Sequence, residues 1–224
     1  MTRTVRSFEE LVATRFADGV NALCWERSLS GDFGEVIRAL GDGEGVETLD
    51  EARLRGLFLS GAGRVAAELM LGDLNLLRER DLAPVLNCIR GYPRDEHPGV
   101  VPTHVFSFHA DSAPIEADTW LCTYHGAPSE GLLHREALRR AEIPETRAEL
   151  LRQFGGGDDD EFQAFLSEHC FDLHYAPVPE ARPYSFGLGN LWRVAVQYPG
   201  CPVPPCVHRA PATILGAPRL LLIS

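Results

Sequence analysis

Thr119-Trp120-Leu121-Cys122-Thr123-Tyr124-His125-Gly126 is a run of β-branched and aromatic residues that stops at a glycine. Such a run favours an extended strand, because branched and ring side chains pack well on a pleated surface. Three more runs share the texture: 103–109 (THVFSFH), 190–198 (NLWRVAVQY) and 218–224 (PRLLLIS). Segments rich in Gly, Pro, Asp and Ser separate them. Short strands with that punctuation predict a β-sandwich or jelly roll starting near Gly99. Residues 134–154 read as a helical interruption. The run GGGDDDE (155–161) reads as a solvated loop, followed by a short helix over 162–169. Its acidic spacing is not that of a calcium-binding EF-hand loop.

Upstream of Gly99 the pattern is helical. Ser7-Phe8-Glu9-Glu10 is a capping box, followed by Leu11, Val12 and Phe16 at helical spacing. Thr48-Leu49-Asp50-Glu51 is a second box. Leu54, Leu57, Phe58, Val65 and Leu69 follow on one face, with Gly72 as the expected stop. A further helix is expected over 74–89, disturbed near Pro84. The predicted class is α+β: a helical region over 1–98, packed on a double-stranded β-helix core over 99–224.

The chain has 224 residues, long enough to bury a sizeable core. Its net charge of −11 argues against a nucleic-acid partner, which needs a basic face. No apolar run approaches the roughly 20 residues of a membrane span. The start, MTRTVRSFEELV, lacks the apolar segment of a secretory signal, so a cytoplasmic location is expected. The six cysteines then read as thiols rather than a disulfide framework. A small molecule is the expected partner, and a homodimer stays open.

Gly61-Ala62-Gly63-Arg64-Val65-Ala66 formally matches a dinucleotide-binding turn. That turn must lead from a strand into a helix, and here the preceding residues continue a helical pattern. His109-Ala110-Asp111 carries more chemistry. Alternate residues of a strand share a face, so both side chains can address one ion. Two histidines and one carboxylate on one side of a metal suit Fe(II), and leave the other side for a co-substrate and O2. His208, late in the chain, supplies the second histidine. Arg219 follows it by 11 positions, at the start of the final run. A buried arginine there presents a planar fork that matches a carboxylate. Alone, each part has a plainer origin: a turn at Asp111, a strand cap at His208, a surface ion pair at Arg219.

Taken together, this order of residues resembles the jelly-roll core of 2-oxoglutarate-dependent oxygenases. The resemblance implies Fe(II) on His109, Asp111 and His208, 2-oxoglutarate anchored by Arg219, and O2 as second co-substrate. The surrounding blocks also resemble a bacterial family known as domain of unknown function 1826. Its pattern is Phe-His-x-Asp, then Leu-Cys-Thr-Tyr-x-Gly-Pro-Gly-Thr-Glu-Trp-Leu, then Val-His-Arg-Ser-Pro. The chain has Phe108-His109-Ala110-Asp111, Leu121-Cys122-Thr123-Tyr124-His125-Gly126, and Val207-His208-Arg209-Ala210-Pro211. The stretch 20–29 (VNALCWERSL) is also similar. The family's Gly-Pro-Gly-Thr-Glu-Trp turn is altered here to Gly126-Ala127-Pro128-Ser129-Glu130-Gly131, and residues 112–120 differ too. A divergent member with its own substrate is implied.

Thr123 and Tyr124 are candidates to hydrogen-bond the co-substrate. Arg209 and Trp192 are candidates to contact substrate, taken as a small polar metabolite such as an amino acid. Hydroxylation is the expected outcome, with desaturation or cyclisation as variants. His125, His134, His169 and His174 are expected at the surface or around the site rather than as ligands. The alternatives are a zinc-binding, metal-handling protein, which Cys201 and Cys206 would favour if their sulfurs faced the metal, and a cupin-like metalloenzyme that does not use 2-oxoglutarate.

Overall fold

A computed structural model describes residues 1–93, 99–212, 214 and 216–224. The boundary expected at residue 98 lies outside them. In chain order the elements are β1 (Thr2–Val5), α1 (Phe8–Ala13), β2 (Ala22–Trp25), α2 (Phe33–Leu40), β3 (Val46–Leu49), α3 (Glu51–Arg55), α4 (Gly61–Arg78) and β4 (Val85–Ile89). Then come β5 (Phe108–His109), β6 (Asp118–His125), β7 (Glu130–Leu132), β8 (Ala137–Arg139), α5 (Pro144–Phe154) and α6 (Asp160–Glu168). The chain closes with β9 (His174–Pro177), β10 (Tyr184–Ser185), β11 (Leu191–Ala195), β12 (Val207–Arg209) and β13 (Arg219–Ile223). The class is α+β, as expected.

Among the described residues the strands form two sheets. The larger runs β1-β2-β11-β6-β13-β4-β3, and the smaller β10-β7-β12-β5-β9-β8. All pairings are antiparallel except β1 with β2. Alternation along β6 and β13 divides the larger sheet into two apolar faces. Trp120, Cys122, Tyr124, Leu220 and Leu222 face a core shared with α1, α2 and α4. Leu121 and Leu221 face the other way, into a core with Trp192, Phe186 and Cys206.

The runs quoted above become β6, β11 and β13, while THVFSFH yields only the two residues of β5. Ser7 caps α1, accepting a hydrogen bond from the Glu10 amide. Several expectations are corrected. The region before Gly99 is not only helical: it supplies β1 to β4, four of the larger sheet's strands. The helix expected over 74–89 is the end of α4 followed by β4. Pro84 lacks a donor and pushes its predecessor out of helical geometry, and residues 85–89 pair with both β13 and β3. Gly72 does not stop α4; a side chain there would meet nothing within 4 Å. The second cap is Asp50, which accepts from the Arg53 amide, while Thr48 lies in β3 and donates to Asn87. Within 134–154 the helix begins only at Pro144, because Ala137–Arg139 pairs with β9. Gly61 does open α4, but Leu57–Ser60 is not a strand, and the Glu35 carboxylate already occupies that helix start by accepting from Ser60 N and Oγ.

Candidate metal centre

β12 and β5 pair with His208 opposite His109, so both imidazoles leave the same face of the smaller sheet. Their ring centroids are 4.8 Å apart. Asp111 follows β5 by two residues and brings Oδ1 to 3.7 Å from His109 Nε2 and Oδ2 to 3.6 Å from His208 Nε2. Each residue offers a ligand atom, and these atoms all lie within 4.8 Å of one another.

The surrounding hydrogen bonds prepare these atoms for a cation. His109 Nδ1 donates to the Ser107 carbonyl at 2.8 Å, and His208 Nδ1 to the Cys206 carbonyl at 3.3 Å. Each contact fixes the proton on Nδ1 and leaves the Nε2 lone pair for a metal. Thr119 Oγ1 donates to Asp111 Oδ2 at 2.6 Å and orients the carboxylate. Burial works against ionisation of Asp111, but His208, the Thr119 hydroxyl and His109 outweigh it, so its carboxyl lies below the usual range. Burial, with the His208 charge, pushes the His109 imidazole down, so at neutral pH it is the unprotonated ligand form. Two imidazoles and a carboxylate are a fitting donor set for Fe(II) or Zn(II).

Arg219 is mounted on the opposite sheet. It is 5% exposed, and among the described residues no carboxylate pairs with it. Nη1 donates to Tyr92 Oη at 3.1 Å; Nη2 donates to Thr123 Oγ1 at 3.2 Å and Ser129 Oγ at 3.1 Å. Its buried Nε has no partner. A cavity of about 210 Å³ between the sheets is lined by His109, Asp111 and His208 on one side and by Arg219, Tyr92 and Ser129 on the other. Ile89, Leu121, Leu221 and Ile223 supply apolar walls.

Three of the expected contacts are corrected. Tyr124 lies on the helical face of β6 and donates to Asp73 Oδ2 at 2.7 Å, away from the cavity. Arg209 follows His208 and therefore leaves the other face of β12, where it pairs with Glu130 at 2.6 Å and stacks over Phe108. Trp192 is buried between the sheets on Phe186, donates to its carbonyl, and does not line the cavity. Thr123 faces the right side but acts through Arg219. Cys206 sits against the Tyr184 hydroxyl and Cys201 accepts from Gln197; neither joins the His109–Asp111–His208 cluster.

The sequence reasoning missed Thr119, Ser129 and Tyr92. Thr119 opens the quoted run and Ser129 follows it by three residues, so both hydroxyls are within reach of a sequence reading, whereas nothing in the sequence ties Tyr92 to Arg219. His174 lies beside the site, one of the two placements expected of it. It stands opposite His109 on β9, with ring centroids 5.9 Å apart. Burial, with the nearby His109 and Arg140 charges, pushes it down to about 4. His169 stacks on Phe171, and His134 begins a short 3-10 turn.

Among the described residues, no helix is long and apolar enough to cross a membrane. Compared with models of protein families, with curated proteins and with solved structures, the chain matches none of them.

Proposed function

We propose that the chain is an Fe(II)- and 2-oxoglutarate-dependent oxygenase, a divergent member of the domain of unknown function 1826 family with a jelly-roll core. One observation carries this reading: a buried arginine with no carboxylate partner among the described residues opens into the same cavity as two histidines and an aspartate. A buried charge without a counter-ion is costly, and an arginine fork selects a carboxylate. A zinc-storage site would have no need of it. His109, Asp111 and His208 would hold Fe(II), and Arg219 would hold the distal carboxylate of 2-oxoglutarate. When bound, the iron supplies O2 activation coupled to decarboxylation of the 2-oxo acid and oxidation of a substrate C–H bond.

The protein's own part is positional. Ser107 and Cys206 carbonyls keep the imidazole protons off the ligand nitrogens. Thr119 holds the carboxylate, and Tyr92, Thr123 and Ser129 hold the guanidinium. Apolar side chains line the space between. The substrate is a small polar metabolite, and hydroxylation is the default outcome. The test is anaerobic: Fe(II), then 2-oxoglutarate, added to metal-free protein while the visible spectrum is recorded. The weak charge-transfer band of a chelated 2-oxo acid is expected, and it should vanish in Arg219→Ala and His208→Ala. Fe(II) binding without any band would overturn the reading.

A further inference from the structure

His109 and Asp111 have a second open side. They line an outer groove of about 410 Å³, and a depression of about 510 Å³ adjoins it, sharing Ser112 and Leu173. The charge of this outer space is opposite in sign to that of the inner cavity. Glu168 lines it at the end of α6, where the helix carbonyls add the negative end of its dipole. Asp172 lines the depression, and among the described residues its buried Oδ1 has no hydrogen-bond partner. The cation on the rim is turned to other partners: Arg139 Nε donates to Tyr175 Oη, and Nη1 lies 3.8 Å from Glu142. Arg139 is near enough to Asp172 for their charges to interact, but makes no ion pair with it among the described residues. Arg140, beside His174, is not among the lining residues.

An independent observation points to a ligand. His174 is 6% exposed and lines the groove beside His109; its Nδ1 is sealed from solvent, and among the described residues neither ring nitrogen has a hydrogen-bond partner. Buried polar side chains are normally satisfied, so an imidazole without partners on a groove wall leaves its less buried Nε2 open to a donor.

We propose that the outer groove, with the depression beside it, receives the substrate and selects a protonated amine or guanidinium, with Glu168 in the groove and Asp172 in the depression as counter-charges and His174 accepting a hydrogen bond from it. The inference rests on the triad being the reaction centre, and it narrows the substrate to a cationic metabolite. The inner cavity then takes an anion and the outer groove a cation, so neither ligand can occupy the other's place without meeting like charge.

Agmatine, which carries both an amine and a guanidinium, is the probe. Isothermal titration is run on the full chain, once after chelator treatment and once with Zn(II) added. Saturable one-to-one binding is expected in both. Asp172→Asn, isosteric with the native side chain, should weaken it about tenfold, and exposed Glu168→Gln about twofold to threefold. The Glu168 variant guards against misfolding at the half-buried Asp172. Absence of agmatine binding, or equal binding by the native chain and both variants, would overturn the proposal. The two readings separate cleanly. Agmatine binding that depends on Asp172, without an Fe(II)/2-oxoglutarate band, leaves the cation groove standing and removes only the oxygenase. A band without agmatine binding does the reverse.

Discussion

Arg219 spends its charge in a place where charge is unwelcome. Burial depresses its pKa, and among the described residues its partners are three hydroxyls and no carboxylate. Replacing such a group with an apolar side chain of similar length relieves desolvation while forfeiting hydrogen bonds, and the two terms nearly offset. Arg219→Met should therefore leave the urea midpoint unchanged or slightly raised while abolishing 2-oxoglutarate binding. A large fall in the midpoint would mark Arg219 as structural. Thr119→Val, which removes the hydroxyl from Asp111, should weaken metal binding about tenfold or more, measured by competition with a chromophoric chelator. Tyr124→Phe should cost about 1 kcal/mol by loss of its hydrogen bond to Asp73 and leave co-substrate binding intact. That last contrast shows how far the sequence could be read. Thr123 and Tyr124 are neighbours on one strand, and so are His208 and Arg209. Strand alternation allows only one of each pair to face the site, and the sequence does not say which without an anchor. His208 provided the anchor for β12, and excluding Arg209 needed only parity.

At the scale of elements, the centre depends on three short strands in register: β12, β5 and β9 place His208, His109 and His174 in one row. Behind the larger sheet, α4 is tied in by a buried network. Arg27 donates twice to Asp73, at 2.6 and 2.8 Å, and its Nε donates to the Gly189 carbonyl. Asp73→Ala leaves that guanidinium uncompensated and should cost about 3–5 kcal/mol of stability, read from chemical denaturation. The strands with long β-branched and aromatic runs were legible in the sequence. Those of residues 1–98 were not, because each has four or five residues, and Ala22–Trp25 and Val85–Ile89 contain Ala and Leu that suit a helix equally well. What makes them strands is pairing with β11 and β13, partners more than a hundred residues away in sequence.

The whole molecule is therefore not a core with an annex. Residues 99–224 expressed alone would leave β13 without β4 and β11 without β2, exposing the face that α4 covers. That fragment should be aggregated or unfolded by far-ultraviolet circular dichroism. Its thiols give the intact chain an alkaline limit. Burial, with the Glu26 charge, pushes Cys24 up to about 12; burial also pushes Cys122 up to about 12 against the pull of Arg27. Between about pH 9 and those values the unfolded thiols lose protons that the native ones keep, so stability falls as pH rises. The urea midpoint should decline across that window, and Cys24→Ala should flatten the decline. The placement of metal ligands on one sheet and Arg219 on the other has one more consequence. On the proposed function, the gap between a metal held by the triad and the Arg219 guanidinium would follow the spacing of the two sheets, which side-chain packing sets. The molecule is then a caliper with fixed jaws. It would then grade 2-oxo diacids by reach, and a chain one methylene too short is expected to bind at least about tenfold more weakly than 2-oxoglutarate, read by titration of the metal-loaded protein. Truncating Leu121 or Leu221, which line the space between them, should shift that gauge.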